Sequence, residues 1–449
     1  MPQVGDRITA HIVALSPEWE GHGVFGTAGV ENSTAVQDEG AIVRVPGVWP
    51  GDIVECALLA RSRHHGHWFG RAMRIIAHGV TRESAVCPVQ AICGGCPGLP
   101  FPYAAQVAQK RARLEALFPG AGFVAAPQPL KYRDKVKWIV GPGTDGRATV
   151  GFYRHNSHRF LPVNDCAVLV PELRHLARRL PEVIGDLAPF DETTGTGLLR
   201  AILAKSTSAG EVIVTFVCAS RPDPETEVML ARTLDLEGVC GVTCNLNPGK
   251  GNRLTGPEEW TLAGTDFLRE ADHPHGYLVN ATCFSQAHHA MAKSALEAIV
   301  ETLRPVSLPV IDLYCGVGPI ALALSAAGLA VTGVEVDARS IELAKRAGAS
   351  NTWIAADVNA TDSMPVPFGE FTVVVNPPRQ GLSAELIDWV ANKRIPKLMY
   401  MSCNPQTLSR DALQLKKCSF TLDIATGYDM FPQTPWFETV AIFSSQVKS

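Results

Sequence analysis

The run Val310-Ile311-Asp312-Leu313-Tyr314 closes on Cys315-Gly316-Val317-Gly318, and this pairing of a buried strand with a glycine turn does most to limit the folds open to the chain. Glycine lets the backbone turn sharply and approach a ligand closely. Around this turn, from about residue 281, helical and strand patterns alternate. Gln286 to Thr302 and Ile320 to Ala327 read as helices. Ala330 to Val334 reads as a strand closing on Glu335, a third strand precedes Asp357, and Phe371 to Val375 closes on Asn376-Pro377-Pro378. Such alternation builds a parallel, doubly wound α/β sheet with ligand sites at the carboxyl ends of its strands.

A glycine turn followed by an acid at the end of the next strand makes a nucleoside pocket, in which glycines admit the ligand and the acid holds ribose hydroxyls. Gly316-x-Gly318-x-x-Ala321 also satisfies dinucleotide spacing, so a nicotinamide cofactor is open on this motif alone. Asp312, Asp357 and Asn376-Pro377-Pro378 taken together resemble methyltransferases dependent on S-adenosylmethionine, and no second motif supports a nicotinamide.

Further on, Tyr400-Met401-Ser402-Cys403-Asn404-Pro405 places a thiol at the end of an apolar run that begins near Arg394. A side chain there faces whatever cleft lies beyond the sheet edge, so Cys403 reads either as a nucleophile or as a small core residue. Its company favours the nucleophile.

At 449 residues the chain has room for about three domains. Residues 1–76 carry short alternating runs, Arg7 to Val13, Ala41 to Val45, Ile53 to Leu58 and Phe69 to Ala72. Turn residues at Gly21, Gly23, Gly26 and Pro46 to Gly51 separate them, which suggests a small closed OB-like barrel. Residues 77–280 read as an α+β central domain. It opens with Cys87-x5-Cys93-x2-Cys96, joined much later by Cys166, and four such thiolates can hold zinc or an iron–sulfur cluster. Three ligands crowded in one loop, with Gly94-Gly95 among them, favour a 4Fe–4S cluster.

The amphipathic pattern over 103–117 predicts a helix carrying basic residues on its outer side, able to pack on the catalytic domain at 281–449. Net charge is −4, yet basic residues cluster at Arg61 to Arg74 and at Lys110 to Lys137. Each cluster can serve as an RNA-binding face or as solvated surface. No apolar run approaches a membrane span of roughly 20 residues, and Met-Pro-Gln-Val-Gly-Asp lacks a leader pattern. A cytoplasmic protein with reduced cysteines and no membrane partner is therefore expected.

With these motifs assembled, the chain resembles the RNA uracil-C5 methyltransferases, near the 23S rRNA members that carry a TRAM barrel and a 4Fe–4S cluster. Val45-Pro46-Gly47-Val48-Trp49-Pro50-Gly51-Asp52 is similar to the TRAM pattern. The resemblance also rests on the four cysteines, the Asp312 to Gly318 and Asn376 to Gly381 motifs, Ser402 to Thr407 with Arg410-Asp411, and Asp429 to Thr434 leading to Glu438. It implies that Gln286, Tyr314, Glu335, Asp357 and Asn376 line an S-adenosylmethionine site, and that Cys403 is the nucleophile and Glu438 the base. It also implies that Cys87, Cys93, Cys96 and Cys166 hold the cluster, that the substrate is rRNA or else tRNA, and that the protein is a monomer.

Four positions depart from the family: His288 in place of Asn, Pro319 in place of Asn, Asn376 in place of Asp, and Trp436 in place of His. An amide at 376 both donates and accepts, so cytosine stands as an alternative target. A decayed, purely RNA-binding protein stands as another. Trp138, Phe284 and Trp436 are candidate base-stacking residues.

Overall fold

The computed structural model describes residues 2–25, 41–84, 86–249, 251, 253–272, 276–348, 350–361, 364, 366–393 and 395–446. Gly26 and Arg394 lie outside them. The chain divides into two compact units, one of residues 1–110 with 432–435, the other of 111–431 with 436–449.

The first unit is built on a closed barrel of Arg7–Leu15, Gly21–Phe25, Ala41–Val45, Trp68–Ala77 and Ile53–Arg61, in that spatial order. Alternate residues point inward, and Ala10, Ile12, Val43, Val45, Val54 and Leu58 fill the centre. Gly21 and Gly23, expected in a turn, instead lie in a strand. A Cβ on Gly21 would stand 2.3 Å from Val48 Cγ2, and one on Gly23 would stand 3.0 Å from Ala10 Cβ, so glycine there answers to a crowded barrel interior. The Val45 to Asp52 motif is organised by the fully buried Asp52. Its carboxylate accepts from Trp49 N at 2.7 Å and Gly79 N at 2.8 Å and pairs with Arg82.

A helix covers Tyr103–Leu117, but Lys110 on it is only 1% exposed, with its ammonium 5.5 Å over the Trp19 ring. Lys110, His67 and Lys135 are all buried, which corrects the expectation that both basic segments are surface throughout. The Trp19 ring faces the Lys110 ammonium and the Cys283 carbonyl accepts from Lys135, while burial lowers the His67 pKa and keeps that ring neutral. At the other end of the helix, Leu114 packs into the core beneath the C-terminal sheet of the second unit.

The second unit has two large sheets. One has seven strands, ordered Glu258–Gly264, Val239–Leu246, Val212–Cys218, Leu199–Ser206, Lys135–Pro142, Ala148–Tyr153 and Phe160–Pro162. The helix Pro171–Ile184 covers it, with Leu173, Leu176, Leu180 and Ile184 buried at helical spacing. Trp138 is fully buried in this core, which removes it as a base-stacking residue.

The other sheet has eight strands, ordered Thr352–Ala355, Val331–Glu335, Val310–Leu313, Thr372–Val375, Lys397–Ser402, Glu438–Ser445, Phe420–Tyr428 and Gly122–Val124. The first five are parallel, as the alternating pattern predicts. Glu438–Ser445 then runs antiparallel to Lys397–Ser402, with Thr439 opposite Ser402. An antiparallel strand begins where its neighbour ends, so Glu438 is set beside the carboxyl end of Lys397–Ser402, next to Cys403. Beyond the parallel strands expected from sequence, this last strand adds an antiparallel pairing. Among the described residues no helix is long and apolar enough to cross a membrane.

Candidate active site

Cys403 occupies the turn between Lys397–Ser402 and the helix Pro405–Lys417. Asn404 caps that helix, its side chain accepting from Gln406 N, while Ser402 Oγ accepts from Asn404 N and donates to its carbonyl. Pro405 begins the helix at no cost, because the first N–H of a helix has no partner to lose. The thiol is thus half-buried in a tight turn, just ahead of the positive end of a helix dipole. Burial raises its pKa and the Glu438 carboxylate raises it further, while the nearby Arg379 guanidinium lowers it. The upward effects win, so in the free protein the sulfur rests as a thiol.

Glu438 is 3% exposed. Burial pushes its carboxyl up to about 7, against the pull of Gln286 and Arg379. Neither Glu438 Oε2 nor Gln286 Nε2 completes a hydrogen bond, although both atoms are buried. Such groups are costly and want a partner. Cys403, Glu438, Arg379 and Gln286 therefore form one cluster of interacting groups at the carboxyl end of Lys397–Ser402. Trp436 borders it, with the Arg379 guanidinium 4.9 Å and the Arg113 guanidinium 5.9 Å from its ring.

A second group gathers at the carboxyl ends of the neighbouring parallel strands. Tyr314 follows Val310–Leu313 with φ of 60°, a left-handed conformation that a non-glycine residue adopts at a cost. Burial raises its hydroxyl pKa to about 12, with Asp357 and Glu335 adding to the shift. Glu335 accepts from Gly316 N at 3.1 Å and from Asp337 N at 3.0 Å, which draws the glycine turn against the acid. Asp357 is exposed and accepts from both Asn359 N and Asn359 Nδ2. Asn376, half-buried, donates its backbone N–H to Leu313 O at 3.3 Å. Asp312 is fully buried beneath the turn, accepts from Ala321 N at 3.1 Å, and is pushed up to about 8 by burial. A Cβ on Gly318 would meet Trp353 Cη2 at 2.3 Å, so the turn is packed directly on that ring.

Two departures from the family pattern have local explanations. Pro319 is the first residue of the helix Pro319–Ala326, where its missing N–H costs nothing. His288, 3% exposed, caps the helix His289–Leu303, stacks on Tyr132 at 4.6 Å, and is held neutral by burial with its pKa near 4. Phe284 is 64% exposed on the loop leading to Gln286. That loop is clamped from the seven-stranded sheet, where buried Lys135 donates to Cys283 O and Asp134 N donates to Ala287 O.

Sequence reasoning missed Asp411, which is 1% exposed. The signal was present: Leu408, Asp411 and Leu415 share the buried face of one helix, and a carboxylate on such a face must have partners.

Cys87, Cys93, Cys96 and Cys166 are half-buried. The first three belong to one unit and Cys166 to the other. Burial raises the Cys93 pKa and a hydrogen bond from the Gly95 backbone opposes it. Among the described residues no group of three or more His, Cys, Asp or Glu side chains is placed to hold a metal ion.

Residues 367–446 match the family model described as tRNA (Uracil-5-)-methyltransferase, and residues 279–391 match the model described as methyltransferase small domain. An uncharacterized RNA methyltransferase of Gloeobacter violaceus is 30% identical over 460 residues, covering 97% of this chain and 96% of its relative. Another, from Thermosynechococcus vestitus, is 30% identical over 475 residues and covers 99% of both chains. Among solved structures, the Pyrococcus abyssi tRNA (uracil-54, C5)-methyltransferase in complex with S-adenosyl-L-homocysteine superposes with a TM-score of 0.75 at 23% identity, over 97% of this chain and 99% of that one. The two therefore share a fold.

Proposed function

The chain belongs to the RNA methyltransferase family, and from that premise we propose that it methylates C5 of a uridine in RNA through a covalent adduct. The observation that carries the reading is the meeting of a thiol and a buried carboxyl between neighbouring strands, Cys403 following a parallel strand and Glu438 opening the antiparallel strand beside it. The family models matched at 279–391 and 367–446 support the same reading.

C5 of uracil is a poor nucleophile. Addition of the Cys403 thiolate to C6 makes C5 an enolate carbon. Bound S-adenosylmethionine supplies an electrophilic sulfonium methyl group. Gln286, Tyr314, Glu335, Asp357 and Asn376 would hold it; the Glu335 carboxylate beside the glycine turn fits a ribose, and glycines at 316 and 318 leave room for close approach. Glu438 then removes the C5 proton, and the C6–S bond breaks to release the product and the thiolate. A pKa near 7 suits that base to neutral pH. Arg379 stabilises the thiolate when the proton leaves the sulfur. Because a paired, stacked base hides C5 and C6, the target must be looped or flipped out. The N-terminal barrel, read as a TRAM domain, would grip the flanking strand.

The five-motif resemblance favours 23S rRNA, while the family model matched at 367–446 is described by a tRNA activity. Incubation with S-adenosylmethionine and transcripts of each RNA, followed by nucleoside mass spectrometry, tests the reading. 5-Methyluridine is the expected product; no methylated base overturns it. 5-Methylcytidine would favour the cytosine reading, in which Asn376→Asp shifts the product toward uridine.

A 4Fe–4S cluster on Cys87, Cys93, Cys96 and Cys166 belongs to the same proposal, on the chemistry of four half-buried cysteine side chains with glycines at 94 and 95. Its role would be structural, and no step passes through it. Iron and sulfide analysis of anaerobically purified protein tests this, and zinc in their place would overturn it.

A further inference from the structure

The cation beside the thiol is carried by a surface loop, and the loop is held by one buried carboxylate. Arg379 stands close enough to Cys403 to favour its thiolate, yet its side chain is exposed, so burial does not set its position. What sets it is the backbone of 378–382. Gly381 N donates to Pro378 O at 2.9 Å, closing a turn in which Gly381 takes φ of 81°. Thr407 Oγ1 donates to Arg379 O at 3.1 Å, and Arg410 Nη2 donates to Gln380 O at 2.7 Å.

Beneath the turn lies Asp411. Its Oδ2 accepts from Leu382 N and from the Tyr400 hydroxyl, both at 2.9 Å. Its Oδ1 accepts from Arg410 Nε at 2.8 Å and Nη2 at 2.7 Å. A Cβ on Gly381 would stand 2.3 Å from Asp411 Oδ2, so loop and carboxylate are in direct contact. Tyr400 lies on the strand that ends at Cys403, and Thr407, Arg410 and Asp411 lie on the helix that begins two residues after it. Strand, helix and loop thus meet at one charged group, and all three lead to the sulfur.

We propose that Asp411 is a positioning residue, whose buried carboxylate fixes the 378–382 loop so that Arg379 is held against the Cys403 sulfur. Its effect on the sulfur passes through Arg379. The inference rests on reading Cys403 as the nucleophile. A buried carboxylate that accepts four hydrogen bonds, from Leu382 N, the Tyr400 hydroxyl and twice from Arg410, is a stiff anchor, because its loss strands the Leu382 and Tyr400 donors.

The test is the pH profile of Cys403 alkylation by iodoacetamide in the full chain, followed by mass spectrometry of the peptide that contains it. The charged side chains facing the sulfur are Glu438 and Arg379, and of these two only Arg379 favours the thiolate, in addition to the local backbone. In Arg379→Gln the alkylation midpoint should move to higher pH, slowing the neutral-pH rate by about 3- to 10-fold. Asp411→Asn should do the same, and the double variant should be no slower than Arg379→Gln alone. Thr407→Val, which removes only the hydroxyl that holds Arg379 O, should move the midpoint the same way by less, and it serves if Asp411→Asn does not fold. A folded Asp411→Asn or Thr407→Val with an unchanged midpoint would overturn the proposal, as would additive shifts in the double variant. The assay needs no RNA and no methyl donor. Failure of methyl transfer with the coupling intact would therefore remove the proposed function and leave this inference standing.

Discussion

Replacing Glu438 by Gln should make the protein more stable at alkaline pH and inactive at every pH. In the folded chain burial pushes the Glu438 carboxyl from its ordinary 4.5 to about 7. Below pH 4.5 the group is neutral in both folded and unfolded states and costs nothing. As pH rises from 4.5 to 7 the unfolded chain ionises it and the folded chain resists, so stability falls across that window and levels off above it. At about 1.4 kcal/mol per pH unit the full loss is about 3 kcal/mol. Gln fills the same volume without a charge, so the stability gap between variant and wild type should widen by about 3 kcal/mol in favour of Gln between pH 4.5 and pH 8. Urea unfolding of both proteins at the two pH values measures it. An equal gap at both, or a variant weakened at pH 8, would refute the claim that this carboxyl sits strained in an apolar site. In the same variant the C5 proton has no acceptor, so an RNA–protein adduct should persist on a denaturing gel while free 5-methyluridine is absent.

Cys403→Ala should abolish both adduct and product while changing stability by no more than about 1 kcal/mol, because the side chain is only half-buried; gel shift and thermal unfolding read the two effects. Gly318→Ala should weaken binding of S-adenosylhomocysteine at least about tenfold by calorimetry, since the new methyl would stand 2.3 Å from the Trp353 ring at a φ of 83°. Phe284→Ala should leave unfolding within about 0.5 kcal/mol of wild type, as the ring is exposed, but should cost RNA affinity by ~1–3 kcal/mol if it stacks on a base. Equal RNA binding in a filter assay would remove it from the interface.

Periodicity was enough to show the five parallel strands and the helices His289–Leu303 and Pro319–Ala326, because burial on both faces of a parallel sheet demands continuous apolar runs that turn residues then punctuate. The helix expected over 103–117 matches Tyr103–Leu117 for the same kind of reason, its apolar spacing being local. Gly21 and Gly23 misled, since a glycine chosen for want of space in a barrel looks identical in sequence to one chosen for a turn. Lys110 and Lys135 misled likewise, because the partners that allow a cation to be buried, Trp19 for one and Cys283 O for the other, are remote in the chain.

Local residue order was sufficient to put a thiol at a strand end, glycines at a turn and acids after the neighbouring strands, for these depend on backbone geometry within a few residues. Tertiary structure alone decided which groups share a field. Glu438 lies thirty-five positions beyond Cys403 and reaches it only because the last strand runs antiparallel. Asp411 grips the Arg379 loop only because helix and loop pack on one face. Electrostatic interactions depend on separation in space and on the loss of water between charges, and neither can be read along the chain.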